Sequence, residues 1–427
     1  MERKVIMKFN IIGGTMTTAI KGGKIYKSGE FVPNELFVVD AREKAGLESE
    51  TGSDFDFERV IDADNSFILP SFCDVHVHFR EPGQSYKETI SAGSKAAAHG
   101  GYTTVCTMPN LKPAPSTLDA LNVQLDLIKK DADIEVIPYG TITMSQNGRG
   151  ELSDMKALAP HVCAFSDDGR GVQADGLMRD AMYQAKELGK LIVAHCEDES
   201  LLREGKVRES EWKQIERDLK LADETGAGYH VCHISCKESV EVIRDAKKSG
   251  VDVTCETAPH YLVFDTDYLN AFINRWPELG GRFKMNPPIK DIADKNALIE
   301  GILDGTVDMI ATDHAPHSAE EKSRGFAKSP NGITGLECAF SALYTYLVKT
   351  GIISLEHLVK LMSVTPRERF GLEQNGFTVV NLDKDYKLDA SKFLSLGKCT
   401  PFDGNMLNGL VELTVMNGKI VYENLEK

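Results

Sequence analysis

The sequence lacks the features that mark membrane, secreted and nucleic-acid-binding proteins. It contains no run of about 18 consecutive apolar residues, the length that a membrane-spanning helix needs. Its N-terminus does not show the charged, apolar and small-residue order of a secretory signal. Basic residues number 49 against 64 acidic ones, and the net charge of -15 disfavours nucleic acid and anionic membranes. We therefore expect a cytoplasmic protein that acts on a small molecule.

Paired cysteines are also missing. The nine cysteines stand singly, without the close pairs of a zinc finger. Several lie inside apolar, strand-like runs, where cysteine acts as a small hydrophobic residue. We therefore expect mostly reduced thiols.

Eight short apolar runs alternate with helical stretches over the middle of the chain, which is typical of parallel β/α units. Two of the stretches between them, ETISAGSKAAAHGG and KESVEVIRDAKKSG, are predicted helices with glycine at their ends. Eight units over about 300 residues favour an α/β fold closed into a (β/α)8 TIM barrel. No G-x-G-x-x-G follows the first run, which argues against an open nucleotide-binding sheet. The runs are FCDVHVHF from Phe72, YTTVCTM from Tyr102, IEVIPYGTIT from Ile134, VCAFSD from Val162, LIVAHC from Leu191, YHVCHIS from Tyr229, VDVTCET from Val251 and VDMIATD from Val307.

The two ends of the chain carry short strand-like runs and little helical periodicity. We expect residues 16–66 and 371–427 to form one small β-sandwich domain and residues 67–370 to form the barrel. Residues 1–15 are predicted to be an extension, because Met16 opens a segment typical of a first strand. Translation from Met16 is the alternative to translation from Met1.

Histidines and aspartates recur near the ends of the predicted strands. Because side chains alternate along a strand, His76, His78 and Arg80 share one face of the first strand and Val75 and Val77 take the other. The carboxyl ends of barrel strands meet at one rim, so such residues become neighbours. Imidazole and carboxylate ligands without thiolate favour Zn²⁺, with Mn²⁺ or Co²⁺ as substitutes. The further candidates are Asp167, Asp168, His195, His230, His233 and Asp313.

Two pairs among these candidates need a choice. His230 and His233 are three positions apart and face opposite sides of a regular strand. We choose His233, which lies nearer the carboxyl end of the strand, and assign His230 a packing role. Asp167 and Asp168 also diverge, and their spacing alone does not separate them.

Eight motifs in a fixed order carry a resemblance to a known family. They read DVHVHFREPG, MPN at Met108 to Asn110, FSDDG, AHCED, HVCHIS, CETAPHYL, FKMNPP and ATDHAPH. With them the chain resembles the class I dihydroorotases of the amidohydrolase superfamily, from about Met16 to the C-terminal TPFDG and NGKIVYE. The resemblance implies a (β/α)8 barrel with a small β domain built from both ends.

The resemblance assigns two metal sites that share one carboxylate. Many amidohydrolases bridge their metals with a carboxylated lysine, but no lysine lies between Lys156 and Lys186, so the chain resembles the aspartate-bridged branch. We expect two Zn²⁺ ions per chain, with one ion as the alternative. The implied ligands are His76, His78 and Asp313 for the first metal, His195 and His233 for the second, and Asp168 as the bridge.

The resemblance also assigns contacts to the substrate. The planar guanidinium of Arg80 suits a carboxylate bidentately, and both N-carbamoyl-L-aspartate and L-dihydroorotate carry one. Taken alone, Asn110 and Asn286 fit loop turns better than substrate binding, and the family match reverses that preference. The implied substrate-binding residues are His78, Arg80, Asn110, Asn286 and His317, with the backbone around Asn331 and Gly332 in the loop that covers the ring.

The implied activity is the reversible cyclisation of N-carbamoyl-L-aspartate to L-5,6-dihydroorotate plus water in de novo pyrimidine biosynthesis. A metal-activated hydroxide attacks the ring carbonyl, with Asp313 as general acid and base. One alternative is another cyclic amidohydrolase, of the hydantoinase or allantoinase type; a second is an inactive scaffold for aspartate carbamoyltransferase. A homodimer, and association of the active enzyme with aspartate carbamoyltransferase, are left open.

Two departures from the family pattern stand out. Ser71 occupies a position where relatives usually carry glycine. The segment between His195 and His233 is shorter than in many class I enzymes and lacks their G-x-P-G-x-P turn. Contacts made by that segment are therefore expected to differ.

Overall fold

The computed structural model describes residues 18–34, 36–39 and 59–424. The predicted extension, residues 1–15, lies outside these ranges. The strands of the described chain are β1 Thr18–Lys21, β2 Lys24–Lys27, β3 Glu30–Pro33, β4 Leu36–Val39, β5 Arg59–Asp62, β6 Phe67–Pro70, β7 Phe72–Val77, β8 Tyr102–Thr107, β9 Glu135–Pro138, β10 Ile192–Ala194, β11 Tyr229–Val231, β12 Val253–Thr257, β13 Met309–Ile310, β14 Gly376–Lys387, β15 Met406–Met416 and β16 Lys419–Glu423.

Helices connect most of the central strands. The α-helices are α1 Ile90–His99, α2 Leu118–Asp131, α3 Met155–Leu158, α4 Asp175–Glu187, α5 Glu199–Arg203, α6 Val207–Thr225, α7 Lys237–Lys248, α8 Pro259–Val263, α9 Thr266–Arg275, α10 Ile292–Leu303, α11 Ala319–Lys322, α12 Gly325–Lys328, α13 Ala339–Leu343, α14 Leu355–Val359 and α15 Thr365–Phe370. Short 3₁₀ helices span Met144–Gln146, Ala159–His161, Pro277–Phe283 and Ala390–Lys392, and π-helical turns span Tyr344–Val348 and Lys360–Val364. Within the described ranges, no helix combines the length and the apolar character needed to cross a bilayer.

Eight strand positions close into a ring. β7, β8 and β9 pair in parallel, and so do β10, β11, β12 and β13. Phe165 joins these two sheets, because it pairs in parallel with Gly140 on one side and Ile192 on the other. Val77 pairs in parallel with His314, just beyond β13, and closes the remaining gap. This closed parallel ring confirms the predicted (β/α)8 barrel.

The fourth predicted strand is reduced to a single bridging residue. Phe165 keeps the ladder hydrogen bonds, since its N–H donates to Leu191 O at 3.1 Å and its carbonyl accepts from Val193 N at 2.9 Å. The chain leaves the ladder at Asp167, whose carboxylate accepts backbone N–H groups of the neighbouring loop. These hydrogen bonds to the Asp167 side chain end the strand early, although the sequence VCAFSD is typical of a longer strand.

The barrel interior is filled by side chains from strands around the ring. The sequence placed Val75 and Val77 on one face, but Val75 lies in the inner cluster, whereas Val77 packs in the outer cluster with the helices. The ladder between β7 and β8 shifts register between Asp74 and Val77, which breaks the expected alternation. The inner cluster consists of Cys73, Val75, Cys106, Met108, Tyr139, Ala164, Val193, Cys232, Met309 and Ala311.

The two helices predicted from glycine-terminated stretches are confirmed. Thr89 caps α1, because its side chain accepts the N–H of Ala92 at 3.0 Å. Gly101 follows α1 with a φ of 90°, and Gly250 follows α7 with a φ of 88°. Both glycines take a left-handed backbone conformation that ends a helix at little cost.

Strands from both ends of the chain pair with one another beside the barrel. One six-stranded sheet has the order β16-β15-β14-β6-β2-β3, and a three-stranded sheet has the order β4-β1-β5. Ile20, Ile68, Phe377, Leu413 and Val415 form the shared core of this part. β6 belongs to the six-stranded sheet through its antiparallel pairing with β14, although the expected boundary after residue 66 assigned it to the barrel.

Candidate metal centre

Two histidines and an aspartate converge where β7 and β13 end. His78 Nε2 lies 3.0 Å from Asp313 Oδ1, and His76 Nε2 lies 3.5 Å from the same oxygen. All three side chains are buried. Ligand atoms around a tetrahedral Zn²⁺ stand about 3.3 Å apart, given Zn–N bonds of about 2.0–2.1 Å. These three side chains could therefore hold one ion.

A second group lies beside the first, at the ends of β10 and β11. His195 Nδ1 and His233 Nε2 are 2.9 Å apart, and each lies 3.7 Å from Asp168 Oδ1. These three residues are also buried, and their ligand atoms could hold a second ion.

Asp168 stands between the two groups. Its Oδ1 is 3.4 Å from His76 Nε2, and its Oδ2 is 3.6 Å from His78 Nε2. Among the residues that the structure describes, neither Asp168 Oδ1 nor His76 Nε2 has a hydrogen-bond partner. Buried polar atoms without partners cost free energy, so the donor set fits a bound cation that would satisfy both atoms.

Asp167, the neighbour of Asp168, faces a different environment. Its carboxylate accepts the backbone N–H groups of Ile142, Thr143 and Gly148. Burial raises the pKa of Asp167 to about 6 although these hydrogen bonds lower it. Of the two aspartates that spacing left unresolved, Asp168 alone faces the histidines.

A glutamate on β12 orients the first histidine. Glu256 Oε1 lies 2.7 Å from His76 Nδ1, which leaves Nε2 directed at the centre, and Glu256 Oε2 lies 3.2 Å from His230 Nε2. Burial alone would raise the pKa of Glu256, but His76 and His230 lower it to about 2. Such carboxylate–histidine pairs fix the orientation of a metal-ligating imidazole. His230 lies on the side of Glu256 away from His76, and its Nδ1 is 2.8 Å from Thr254 Oγ1. It therefore does not join His233 at the centre.

Three of the predicted site residues have a strained backbone. Arg80, His233 and Asp313 have φ values of 48°, 31° and 49°, a left-handed region that residues other than glycine rarely adopt. Strain of this kind concentrates at functional sites. Burial raises the pKa of Asp313, but the hydrogen bond with His78 and the nearby His76 outweigh burial and hold the pKa below its usual value. The Asp313 carboxylate is therefore ionised at pH 7.

Two basic side chains, Arg80 and Lys87, form a cationic corner beside the carboxylates of Asp168 and Asp313. Arg80 is buried and donates Nε to Pro316 O at 3.4 Å. Lys87 Nζ lies 3.1 Å from His317 Nδ1. Burial lowers the pKa of His317 to about 3, and the charges of Arg80 and Lys87 add to the effect. His317 is therefore neutral at pH 7, while Arg80 offers a fixed planar cation.

The remaining predicted substrate residues lie in loops at the same rim. Asn110 Nδ2 donates to Asp168 O at 2.7 Å, and Asn331 O lies 2.7 Å from His317 Nε2. Gly332 has a φ of 130°, and a Cβ there would approach Ala315 O to 2.5 Å. Only glycine fits this conformation and this close approach of two chain segments.

Comparison with known proteins shows the family of the chain. Residues 65–239 match the family model described as Dihydro-orotase-like. A dihydroorotase from Fusobacterium nucleatum subsp. nucleatum is 47% identical and aligns with 96% of this chain and 99% of its own. One from Bacillus licheniformis is 44% identical over the same shares. The chain belongs to the dihydroorotase family.

Solved structures share the fold of this dihydroorotase-family chain. The L-hydantoinase (dihydropyrimidinase) from Arthrobacter aurescens superimposes with a TM-score of 0.83 at 27% identity, covering 96% of each chain. A dihydropyrimidinase from Brevibacillus agri gives a TM-score of 0.80 at 22% identity, covering 96% of this chain and 95% of its own. At 22% identity, the likeness to the Brevibacillus agri dihydropyrimidinase shows a shared fold and nothing further.

Besides Glu256, sequence reasoning passed over two charged side chains that contact the predicted site residues. Glu197 accepts a hydrogen bond from Asn286 Nδ2 at 3.0 Å and lies 3.4 Å from His195 Nε2. It therefore contacts the ring nitrogen of His195 that faces away from Asp168. Lys87 contacts His317 and also pairs with Glu321 at 3.1 Å. Glu197 lies within the AHCED motif, whose carboxylates were a readable signal, whereas Lys87 lies in a loop without any pattern.

Proposed function

We propose that this member of the dihydroorotase family is itself a dihydroorotase. It interconverts N-carbamoyl-L-aspartate and L-5,6-dihydroorotate plus water, in de novo pyrimidine biosynthesis. The observation that carries the proposal is the buried Arg80 cation beside the imidazole and carboxylate centre, because substrate and product both carry a carboxylate. Curated relatives named dihydroorotase, 42–47% identical over nearly the whole chain, support it.

We propose that the centre holds Zn²⁺, two ions per chain. His76, His78 and Asp313 would hold one ion, His195 and His233 the other, and Asp168 both. The orphaned Asp168 Oδ1 and His76 Nε2 support this assignment. Bound Zn²⁺ supplies a water whose pKa is lowered to about 7 and polarises a carbonyl oxygen.

Asp313 moves the proton in this scheme. During ring opening, a water oxygen adds to the ring carbonyl carbon and Asp313 accepts the released proton. The carbon–nitrogen bond of the ring then breaks, and protonated Asp313 delivers the proton to the leaving nitrogen. In the direction of ring closure, Asp313 takes the proton from the nitrogen as the carbon–nitrogen bond forms, and then gives it to the oxygen that departs as water.

The cationic corner and the rim loops bind the substrate. Arg80 pairs with the ring carboxylate through its planar guanidinium, and neutral His317 lies beside it. Asn110 and Asn286 offer amide groups to the ring. The backbone at Asn331 and Gly332 covers it, so that bulk water is excluded during the reaction.

The test is ring opening of L-dihydroorotate by the purified chain, against hydantoin, dihydrouracil and allantoin. Turnover of dihydroorotate alone is the expected result. Turnover of hydantoin or allantoin instead would favour the hydantoinase type of enzyme, whose fold the chain shares. Turnover of none of them would favour an inactive scaffold for aspartate carbamoyltransferase.

We also propose that the protein works in the cytoplasm, in line with its free cysteines. The division of the chain into a barrel and a small β domain, the homodimer and the association with aspartate carbamoyltransferase stay predictions.

A further inference from the structure

A buried lysine joins the two loops that carry the proposed ring contacts. Lys322, the last residue of α11, is 5% exposed. Its ammonium donates to three backbone carbonyls, Gly332 O at 2.7 Å, Pro330 O at 3.0 Å and Lys284 O at 3.1 Å. The first two carbonyls flank Asn331 in the loop that covers the ring, and the third belongs to the preceding rim loop.

Other contacts join the same two loops. Gly332 N donates to Lys284 O at 3.0 Å, so this carbonyl accepts both the backbone and the ammonium. Lys284 lies two residues before Asn286, which is bonded to Glu197. The ammonium therefore sits at the junction where the proposed ring-covering backbone meets the segment that presents Asn286.

The chemistry of a buried ammonium makes this arrangement specific. Burial lowers the pKa of Lys322 to about 8, because removing a charge from water disfavours the charged form. An ammonium has three donors, and here each has a backbone acceptor. An apolar side chain of similar length would fill the space without that desolvation cost, but it would leave the three carbonyls without this donor.

We infer that Lys322 is a positioning residue of the proposed reaction, which fixes the 330–332 backbone against the Lys284 loop before the substrate arrives. The inference rests on the proposed function. Preformed contacts spare the substrate the cost of ordering the loop. Removing the ammonium should therefore weaken binding of the ring more than it slows the chemical step.

The test compares Lys322→Met and Lys322→Gln with wild type and with Lys190→Met. Lys190 is a matched control because its ammonium donates to a backbone carbonyl, Val162 O at 2.7 Å, just before β10 at the opposite end of the barrel. In both Lys322 variants we expect KM for L-dihydroorotate to rise about tenfold or more while kcat stays within about threefold. Lys190→Met should leave both constants near wild type, with metal content unchanged in all variants.

Amide hydrogen exchange gives a second readout that does not depend on turnover. Exchange within residues 318–334 should accelerate in both Lys322 variants, with the barrel strands unchanged, and should not change in Lys190→Met. If the wild type fails to open dihydroorotate, the proposed function is wrong, but this exchange measurement still decides whether Lys322 holds the loop. An unchanged KM with unchanged exchange in folded variants would overturn the inference. Failure of both Lys322 variants to fold would also overturn it, because Lys322 would then support the core rather than a loop.

Discussion

The aspartates at 167 and 168 differ by one position along the chain and face unrelated surroundings. The sequence predicted a carboxylate at this strand end, but spacing did not choose between them. The choice depends on which backbone amides lie nearby, and those of Ile142, Thr143 and Gly148 surround Asp167. The histidine pair at 230 and 233 was separable, because only His233 lies beyond the strand end. Glu256 was not predicted, since its role depends on a contact with His76, which is 180 positions away.

Replacing Asp313 by asparagine should abolish turnover, because the amide cannot carry the proton. We expect kcat to fall by about 10²–10⁴ or more, with a smaller change in KM, as steady-state kinetics on folded protein will show. Asp167→Asn is the contrasting variant, and it should lower thermal stability through its lost loop contacts. A kcat near that of the wild type in Asp313→Asn would show that Asp313 does not transfer the proton.

Replacing Glu256 by glutamine should loosen the metal centre without touching a ligand. The amide no longer supplies the charge that orients His76, and we expect metal affinity to fall by about 10–100-fold in competition with a chelator. Thr254→Ala removes the Oγ1 contact with His230 and leaves the Glu256–His76 contact in place, so its affinity should stay near wild type. Equal affinities in both variants would show that Glu256 does not support the site.

At the scale of elements, strand and helix types were predictable, and so were the C-terminal ends of α1 and α7, but the ends of the strands were not. The predicted fourth strand contracted to a single bridge at Phe165, since Asp167 bonds to loop amides. The helices α1 and α7 ended where glycine allowed a left-handed turn. The alternation along β7 failed between Val75 and Val77, because a register shift is not encoded in the pattern of apolar residues.

A buried ion pair joins α6 to the loops after β11 and before α10. Glu211 accepts Lys290 Nζ at 2.9 Å and the backbone N–H of Ser235 at 2.8 Å. Burial raises the pKa of Glu211, but these partners lower it to about 2 from 4.5. A carboxyl whose pKa is lower in the folded state stabilises the protein above its unfolded pKa, and that stability is lost as pH falls from about 4.5 towards 2.

We therefore expect Glu211 to contribute to acid unfolding of the wild type. Between pH 6 and pH 3 the wild type should lose about 2 kcal/mol through this group alone, and Glu211→Gln should lack that part of the slope. Unfolding free energies from urea titrations at the two pH values measure the difference. Glu187→Gln, at an exposed glutamate of α4, is the control. Identical slopes for wild type and Glu211→Gln would contradict the assignment.

At the scale of the whole molecule, closure of the barrel brings together residues from His76 to Asp313. Eight repeated units in the sequence were enough to predict this closure, and the motif order was enough to predict the family. The pairing of β6 with β14 was not predictable in detail, because it joins segments about 300 residues apart and depends on the shared core around Ile68 and Phe377. The loop contact made by Lys322 depends in the same way on tertiary structure.

The most direct test of the central claim is a metal titration of one purified sample, with ring opening of L-dihydroorotate followed at each step. We predict that chelation abolishes the activity, that Zn²⁺ restores it, and that activity reaches its plateau at two ions per chain. A plateau at one ion would show that Asp168 is a ligand of one metal ion and does not bridge two. Bound metal without any turnover of dihydroorotate would contradict the assignment of the site as a dihydroorotase centre.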